Sequence, residues 1–95
     1  MAAYLVVDVK VEDPVRYRQY RIGVEASLAA YGGRYLVRGG RVDALEGSWM
    51  PERLVIVEFD SAEKAKAWWS SSEYAEPKAL RQAIARTDMI VVEGV

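Results

Sequence analysis

The sequence contains neither cysteine nor histidine. Without cysteine the chain has no disulfides, no thiolate nucleophile and no sulfur ligand for a metal. Without histidine it lacks the commonest general base and the commonest metal or haem ligand. We therefore expect a protein that uses no cofactor and holds no metal ion.

Positive charge is not in excess either. The 13 lysines and arginines are balanced by 14 acidic residues, which gives a net charge of −1. Such a chain has no broad positive field to hold a phosphate backbone, so we expect no nucleic-acid partner. The longest apolar runs, residues 4–7 and 54–57, are too short to span a membrane. No basic segment precedes the first run, so we expect no signal peptide and a cytoplasmic protein.

What the sequence does contain is a regular order of strand and helix patterns. Asp13 and Pro14 form a helix start, and Gly32-Gly33 ends that helix after about Ala30. A second helix begins near Ser61 and is interrupted at Ser70-Ser71-Ser72, where Ser72 is the expected cap of a last, short helix. The expected strands are residues 3–11, 34–38, 53–59 and 88–93. Residues 41–46 fit either a bent strand extension or a hairpin arm.

This order predicts one α+β domain over residues 1–95. Strand–helix–strand–strand–helix–strand with short connections is the ferredoxin-like βαββαβ pattern. It yields a four-stranded antiparallel sheet with the helices on one face. With 52% hydrophobic and 28% charged residues, the composition is that of a globular domain of this size.

The two faces of this sheet are both predicted to be apolar. We assign one face to the helices, and the opposite face should be polar if it met water. Instead it is largely apolar, with acidic residues toward the strand ends, and an exposed patch of that size is a liability. Pairing of two sheets in a homodimer is the simplest cover. The helix face is assigned Leu5, Val7, Val9, Val55, Val57, Phe59, Ile90 and Val92, and the opposite face Tyr4, Val6, Leu54, Ile56, Met89 and Val91, with Asp8, Glu58 and Glu93.

A set of motifs along the whole chain resembles the domain-of-unknown-function family 1330. The set comprises the runs Tyr35-Leu36-Val37-Arg38-Gly39-Gly40, Leu45-Glu46-Gly47-Ser48-Trp49, Val57-Glu58-Phe59, Ala67-Trp68-Trp69, Ser72-Glu73-Tyr74 and Val92-Glu93-Gly94. Each run alone is weak, whereas the ordered set is fairly specific. The family commonly has Trp-Tyr where this chain has Trp68-Trp69, so no phenol is available at position 69.

The resemblance implies the dimeric α/β barrel superfamily, in which two ferredoxin-like sheets close into a shared barrel. Relatives there include cofactor-free oxygenases acting on polyketides, haem-using enzymes and stress-induced barrel proteins. The proximal histidine of the haem-using relatives has no counterpart in this chain. The family has no established activity, so the resemblance implies a fold and a dimer rather than a reaction.

Three charged residues of these motifs, Arg38, Glu46 and Glu58, are candidate ligand-binding residues. An arginine and carboxylates at the mouth of a barrel suit a small polar or anionic ligand. They equally suit ion pairs that set the strand register or the dimer contact, and we favour that interpretation. Asp8 is a fourth charged candidate, because a strand order of 4-1-3-2 would bring it close to Glu58 on neighbouring parallel strands. Such a pair suits acid–base chemistry or a hard cation, or each carboxylate pairs with Arg34, Arg38 or Arg41.

Trp68 and Tyr74 are the aromatic candidates for lining a pocket that takes a flat substrate. Core packing is the favoured alternative, since adjacent helical positions point about 100° apart and Trp68 and Trp69 cannot both face one core. Arg81 and Arg86 are assigned to a solvated helix face, with Arg81 within reach of Glu73 or Glu76.

Three functions follow as hypotheses, and whether the protein is an enzyme stays open. The first is a homodimeric barrel that binds a small molecule without catalysis of its own. The second is a cofactor-independent oxygenase or isomerase acting on an aromatic or polyketide-like substrate, with Trp68, Tyr74, Arg38 and Glu58 shaping the site. The third is a structural dimer module.

Overall fold

The fold is described from a computed structural model that covers all 95 residues. Seven elements follow one another along the chain, and they confirm the predicted ferredoxin-like order, with the second helical region divided in two. They are β1 (Ala3–Val11), α1 (Pro14–Ala30), β2 (Arg34–Arg38), β3 (Arg53–Phe59), α2 (Ala62–Trp69), α3 (Ser72–Ile84) and β4 (Ala85–Glu93).

Side-chain caps begin all three helices. Asp13 accepts a hydrogen bond from the backbone N–H of Arg16 at 3.1 Å, with Pro14 at the first helical position, as predicted. Ser61 caps α2 in the same way. The cap of α3 is Ser71 rather than the predicted Ser72, because the Ser71 hydroxyl reaches the backbone N–H of Tyr74 at 3.2 Å.

The sheet order is β2-β3-β1-β4, and every neighbouring pair of strands is antiparallel. The expected order 4-1-3-2 is therefore confirmed, whereas the expectation that Asp8 and Glu58 lie on parallel strands is wrong. A register shift between Tyr35 and Val37 marks a β-bulge in β2, which leaves Leu36 without a partner in β3.

One face of the sheet packs against the helices and forms the core. Leu5, Val7 and Val9 of β1 are buried there, as are Val57 and Phe59 of β3. From the helices the core receives Tyr17, Tyr20, Val24, Leu28, Ala65, Trp68, Tyr74 and Ile84.

The predicted faces of β4 are reversed. Leu5 pairs with Val91 and Val7 pairs with Met89, so Met89 and Val91 share the helix face with these core residues. Ile90 and Val92 lie on the opposite face, where Ile90 is 61% exposed. Glu93 pairs with Ala3 and therefore lies on the helix face rather than on the predicted opposite face. The run Met89-Ile90-Val91-Val92 is apolar throughout, so its composition does not show which residues point inward.

The opposite side of the sheet, called here the open face, has no helix over it. Val6 of β1 lies at its centre, directly between Ile56 of β3 and Ile90 of β4. The segment 39–52 contains neither helix nor strand, so neither alternative for residues 41–46 forms. It contacts the open face where the Trp49 indole N–H donates to Asp8 at 3.0 Å. On this face Ile90 and Val92 are exposed, whereas Val6 and Ile56 are half-buried.

No helix in the structure has the length and apolar character that crossing a membrane requires.

Candidate functional site

Trp68 and Tyr74 lie together in the centre of the helix layer. Their rings stack with centroids 3.9 Å apart, and Trp68 is only 1% exposed while Tyr74 is fully buried. The Trp68 indole N–H donates to the Ser27 hydroxyl at 3.0 Å, which in turn donates to the Val24 carbonyl. Trp69 is 44% exposed, which confirms that the two tryptophans do not face the same core.

A chain of polar side chains continues from Tyr74 through the buried layer. The Tyr74 and Tyr20 hydroxyls lie 2.8 Å apart, and Tyr74 accepts a hydrogen bond from Arg81 Nε at 3.2 Å. Burial raises the pKa of Tyr20 far above its ordinary value, and the neighbouring Tyr74 raises it further. Tyr20 is therefore a neutral partner of Tyr74 even at a pH at which an ordinary tyrosine ionises.

The predicted position of Arg81 on a solvated helix face is wrong. Arg81 is 5% exposed rather than solvated, and it pairs with neither Glu73 nor Glu76. The helical spacing indicates a buried position, because Arg81 follows Tyr74 by seven residues and precedes Ile84 by three. All three are buried on one face of α3.

A cavity of about 490 Å³ opens beside Arg81, between α2, α3 and strands β1 and β4. We call it the β4 cavity. Its wall combines apolar side chains with a small number of polar ones, which is the usual composition of a small-molecule site. Its lining consists of Leu5, Ala65, Lys66, Trp69, Arg81, Gln82, Ala85, Thr87, Met89, Ile90 and Val91.

The charges in the β4 cavity are all positive. Arg81 and Lys66 line it, and no acidic residue does. Thr87 is also on the lining, but its hydroxyl oxygen is inaccessible to solvent and has no hydrogen-bond partner. The cavity thus offers hydrogen-bonding groups and positive charge in an otherwise apolar wall.

Arg38 and Trp68 come together at a second, much narrower cleft of about 30 Å³ between α1 and the sheet. Arg38 forms an ion pair with Glu25 of α1, and its guanidinium lies 4.3 Å from the centre of the Tyr35 ring. Burial raises the pKa of Tyr35. The cleft has room for about one water molecule, and Arg38 already has two partners, so these contacts describe a packed junction.

Glu58 lies on the open face and does not join Arg38 or Trp68. Its carboxylate pairs with Arg34, which lies directly across from it on β2. The hydrogen bond and charge of Glu58 raise the pKa of Arg34. The ion pair across the sheet is one of the alternatives that the sequence left open for this residue.

Asp8 is far from Glu58 because their strands run in opposite directions. Asp8 pairs with Leu54, whereas Glu58 pairs with Tyr4, which precedes Asp8 by four residues in β1. This spacing separates Asp8 from Glu58 by roughly 13 Å. The proposed carboxylate pair therefore does not form. The residue opposite Asp8 on β4 is Asp88.

The two oxygens of Asp8 have different surroundings. Oδ2 accepts the hydrogen bond from Trp49, and Oδ1 is buried without a partner. Glu46, the remaining candidate, is exposed in the segment 39–52 and forms no ion pair within the chain. The predicted site residues thus divide between the two sides of the sheet, and none of them lines the β4 cavity.

Several solved structures share the fold of this chain. A protein of unknown function from Rhodopseudomonas palustris is 17% identical, with a TM-score of 0.80 over 99% of this chain and 82% of that one. A dimeric ferredoxin-like protein of unknown function from Jannaschia sp. CCS1 is 11% identical, with a TM-score of 0.73 over 99% of this chain and 100% of that one. SnoaB from Streptomyces nogalater, a cofactor-independent oxygenase, is 9% identical, with a TM-score of 0.59 over 99% and 93%.

At these identities the structures show a common fold and no common activity. Comparison with curated proteins finds no match. The family model of a domain of unknown function, DUF1330, matches residues 2–95, which include every motif on which the resemblance rested. The chain therefore belongs to the DUF1330 family, whose function is uncharacterised.

Proposed function

We propose that the protein is a cytoplasmic homodimer in which each subunit binds a small molecule in the β4 cavity, without catalysis of its own. The observation that carries the proposal is the cavity. Its volume of about 490 Å³ lies within the range of known ligand sites, and its lining is largely apolar with a few polar groups. Most of the cavity lining belongs to α2, α3 and the helix side of the sheet, and Ile90 is the lining residue that also lies on the open face.

The open face supports the homodimer. Val6, Ile56 and Ile90 form an apolar strip across three neighbouring strands, with no helix above them. Two solved neighbours, from Jannaschia sp. CCS1 and Thermobifida fusca, are described as dimeric ferredoxin-like proteins. A second copy of the same sheet is a self-complementary cover for such a strip.

A thermal-shift screen of a metabolite library tests the proposal. A ligand present at 100 times its Kd stabilises the native state by about 2.7 kcal/mol. For a domain of this size we expect an increase in Tm of roughly 10 °C or more. Each hit is then measured on Gln82→Trp, which places a large ring in the lining of the cavity, and on Gln19→Trp, an exposed position of α1 away from it.

We expect hits to lose their stabilisation on Gln82→Trp and to keep it on Gln19→Trp. If both variants respond as the wild type does, the ligand binds elsewhere and the β4 cavity is not the site. If no compound stabilises the wild type, the structural dimer module is the better interpretation.

A cofactor-independent oxygenase is the second candidate, because SnoaB shares the fold. The aromatic pair suited to a flat substrate, Trp68 and Tyr74, is buried in the core and does not line the β4 cavity. Oxygen uptake measured with each hit separates the two functions. Uptake that depends on protein and hit together would favour the oxygenase.

A further inference from the structure

Arg81 is buried without a carboxylate partner. It is 5% exposed, and its guanidinium makes one hydrogen bond in the whole chain, from Nε to the Tyr74 hydroxyl. A guanidinium has five N–H donors and stays charged at any ordinary pH. Buried arginines are normally paired with an acid, since an unpaired charge in an apolar setting is costly. Arg81 therefore has no acidic partner within the chain.

The contacts of Arg81 hold its guanidinium in place. Nε is bound to Tyr74, and Tyr74 is in turn bonded to Tyr20 and stacked on Trp68. With Nε engaged inside the helix layer, the two terminal nitrogens have no partner within the chain. A fork of this kind, fixed before binding, loses little conformational entropy when it meets a planar oxyanion.

The β4 cavity is the space in which this anion would lie. Arg81 lines it, and the second charged residue of the lining, Lys66, is also positive. Gln82, on the same lining, adds an uncharged amide group. The rest of the wall is mainly apolar and includes Leu5, Met89 and Val91.

We propose that the ligand of the β4 cavity is an organic acid with an apolar body, whose carboxylate is bound by Arg81. The inference rests on the proposed function and adds the chemical class of the ligand. The apolar wall takes the body of the molecule, and Arg81 binds its oxyanion, with Lys66 as a second positive charge on the same lining.

Matched acids and amides test the proposal, because they share a shape and differ in charge. The probes are 3-phenylpropanoate with 3-phenylpropanamide, and 1-naphthoate with 1-naphthamide, each titrated into the protein by calorimetry. A charge-assisted contact predicts that the acid of a pair binds about 10- to 100-fold more tightly than the amide.

Variants assign the preference to Arg81. Arg81→Met keeps an apolar stem without the charge, and we expect it to reduce the acid-to-amide ratio to about one. Arg16→Met, at an exposed position of α1, is the matched control and should keep the wild-type ratio. Lys66→Met, which removes the second positive charge of the lining, should weaken the acid and leave the amide unchanged. If Arg81→Met does not fold, the wild-type ratio and Lys66→Met still decide the question.

Two results would overturn the proposal. One is an equal affinity for acid and amide in the wild type, and the other is an acid preference that survives Arg81→Met, as expected if Arg81 only supports Tyr74. Library hits that are all neutral or cationic and are lost on Gln82→Trp would refute the organic acid and leave the proposed small-molecule site intact. If no ligand is found, both the organic-acid proposal and the proposed small-molecule site are refuted.

Discussion

Burial of Tyr20 links the stability of the protein to alkaline pH. Its hydroxyl is hydrogen-bonded to the Tyr74 hydroxyl, and its ring packs against that of Tyr17, with centroids 5.3 Å apart. The pKa of Tyr20 is raised from its ordinary value of 10.0, chiefly by burial and then by Tyr74, while the charge of Arg81 acts in the opposite direction. The folded chain therefore keeps this proton at a pH where the unfolded chain has released it.

The sign of the resulting pH dependence is fixed by that difference. Below pH 10 the hydroxyl is protonated in both states, so its contribution to stability is fully present. Above pH 10 only the unfolded chain loses the proton, so the free energy of unfolding falls, by up to roughly 1.4 kcal/mol per pH unit for one group. Urea unfolding of the wild type and of Tyr20→Phe between pH 9 and 11 measures this, and we expect a shallower decline in the variant. Equal slopes in the two proteins would contradict the assignment.

At the scale of single residues, the sequence predicted contacts that depend on near neighbours and missed those that do not. Asp13 was recognised as a cap because its partner, Arg16, is three residues away. For Glu58 the sequence allows several arginine partners, and the ion pair forms with Arg34 because the sheet register places the two residues opposite each other. The burial of Arg81 depends on Tyr74 and the surrounding core, and an arginine in a helix is usually solvated.

At the scale of the elements, the end of β2 depends on one glycine. Gly39 has a φ of +69°, and a Cβ built there would clash with the Arg53 guanidinium. Its backbone N–H also donates to the Leu54 carbonyl at 2.8 Å, so the conformation is held by β3. Gly40, the next residue, has open space around its Cβ position.

The two glycines provide a matched pair of alanine substitutions. Gly39→Ala forces a side chain into the left-handed region, and we expect a loss of about 1–2 kcal/mol in the free energy of unfolding. Gly40→Ala should change it by about 0.5 kcal/mol or less. Urea denaturation of both variants makes the comparison. Equal losses would show that the conformation at Gly39 does not constrain the strand end.

Most element bounds followed from the sequence, but β4 begins at Ala85 rather than at the predicted residue 88, and its orientation was not predicted. In β1 and β3 the apolar run is followed by polar residues that alternate with apolar ones, Asp8 and Lys10 in β1 and Glu58 in β3, and these indicate the faces. In β4 four consecutive apolar residues remove the alternation, so pairing with β1 decides which of them face the core. The β1–β4 pairing also decides which residues are neighbours on the open face, such as Val6 and Ile90.

At the scale of the whole molecule, the sheet has one covered and one open side. The Cα trace is only 16 Å thick along its shortest axis, which corresponds to one helix layer on one sheet. The exposed apolar side chains include Ile90 and Val92 of the open face, with Leu36, Leu45, Trp49 and Met50 of the bulge and the segment 39–52. In the proposed dimer the open face would meet its copy.

A charge at the centre of the open face tests the proposed dimer. Val6→Lys places an ammonium between Ile56 and Ile90, and its desolvation in a sheet-to-sheet contact is costly. We expect a folded monomer at micromolar concentration by sedimentation equilibrium, with a wild-type helical CD spectrum. Val15→Lys, at an exposed position of α1, is the control and should stay dimeric. A monomeric wild type under the same conditions would refute the dimer.

The sequence by itself determined the order of the strands and helices, most of their bounds, the cap of α1, and the family. These depend on residues a few positions apart and on motifs read in order, so they are present in the linear chain. The tertiary structure alone decided that Asp8 and Glu58 lie apart, which residues of β4 face inward, and that Arg81 is buried next to Tyr74. The physical reason is that strand direction and pairing bring together residues distant in the chain, and a charge acquires its partner, or lacks one, only after that packing is complete.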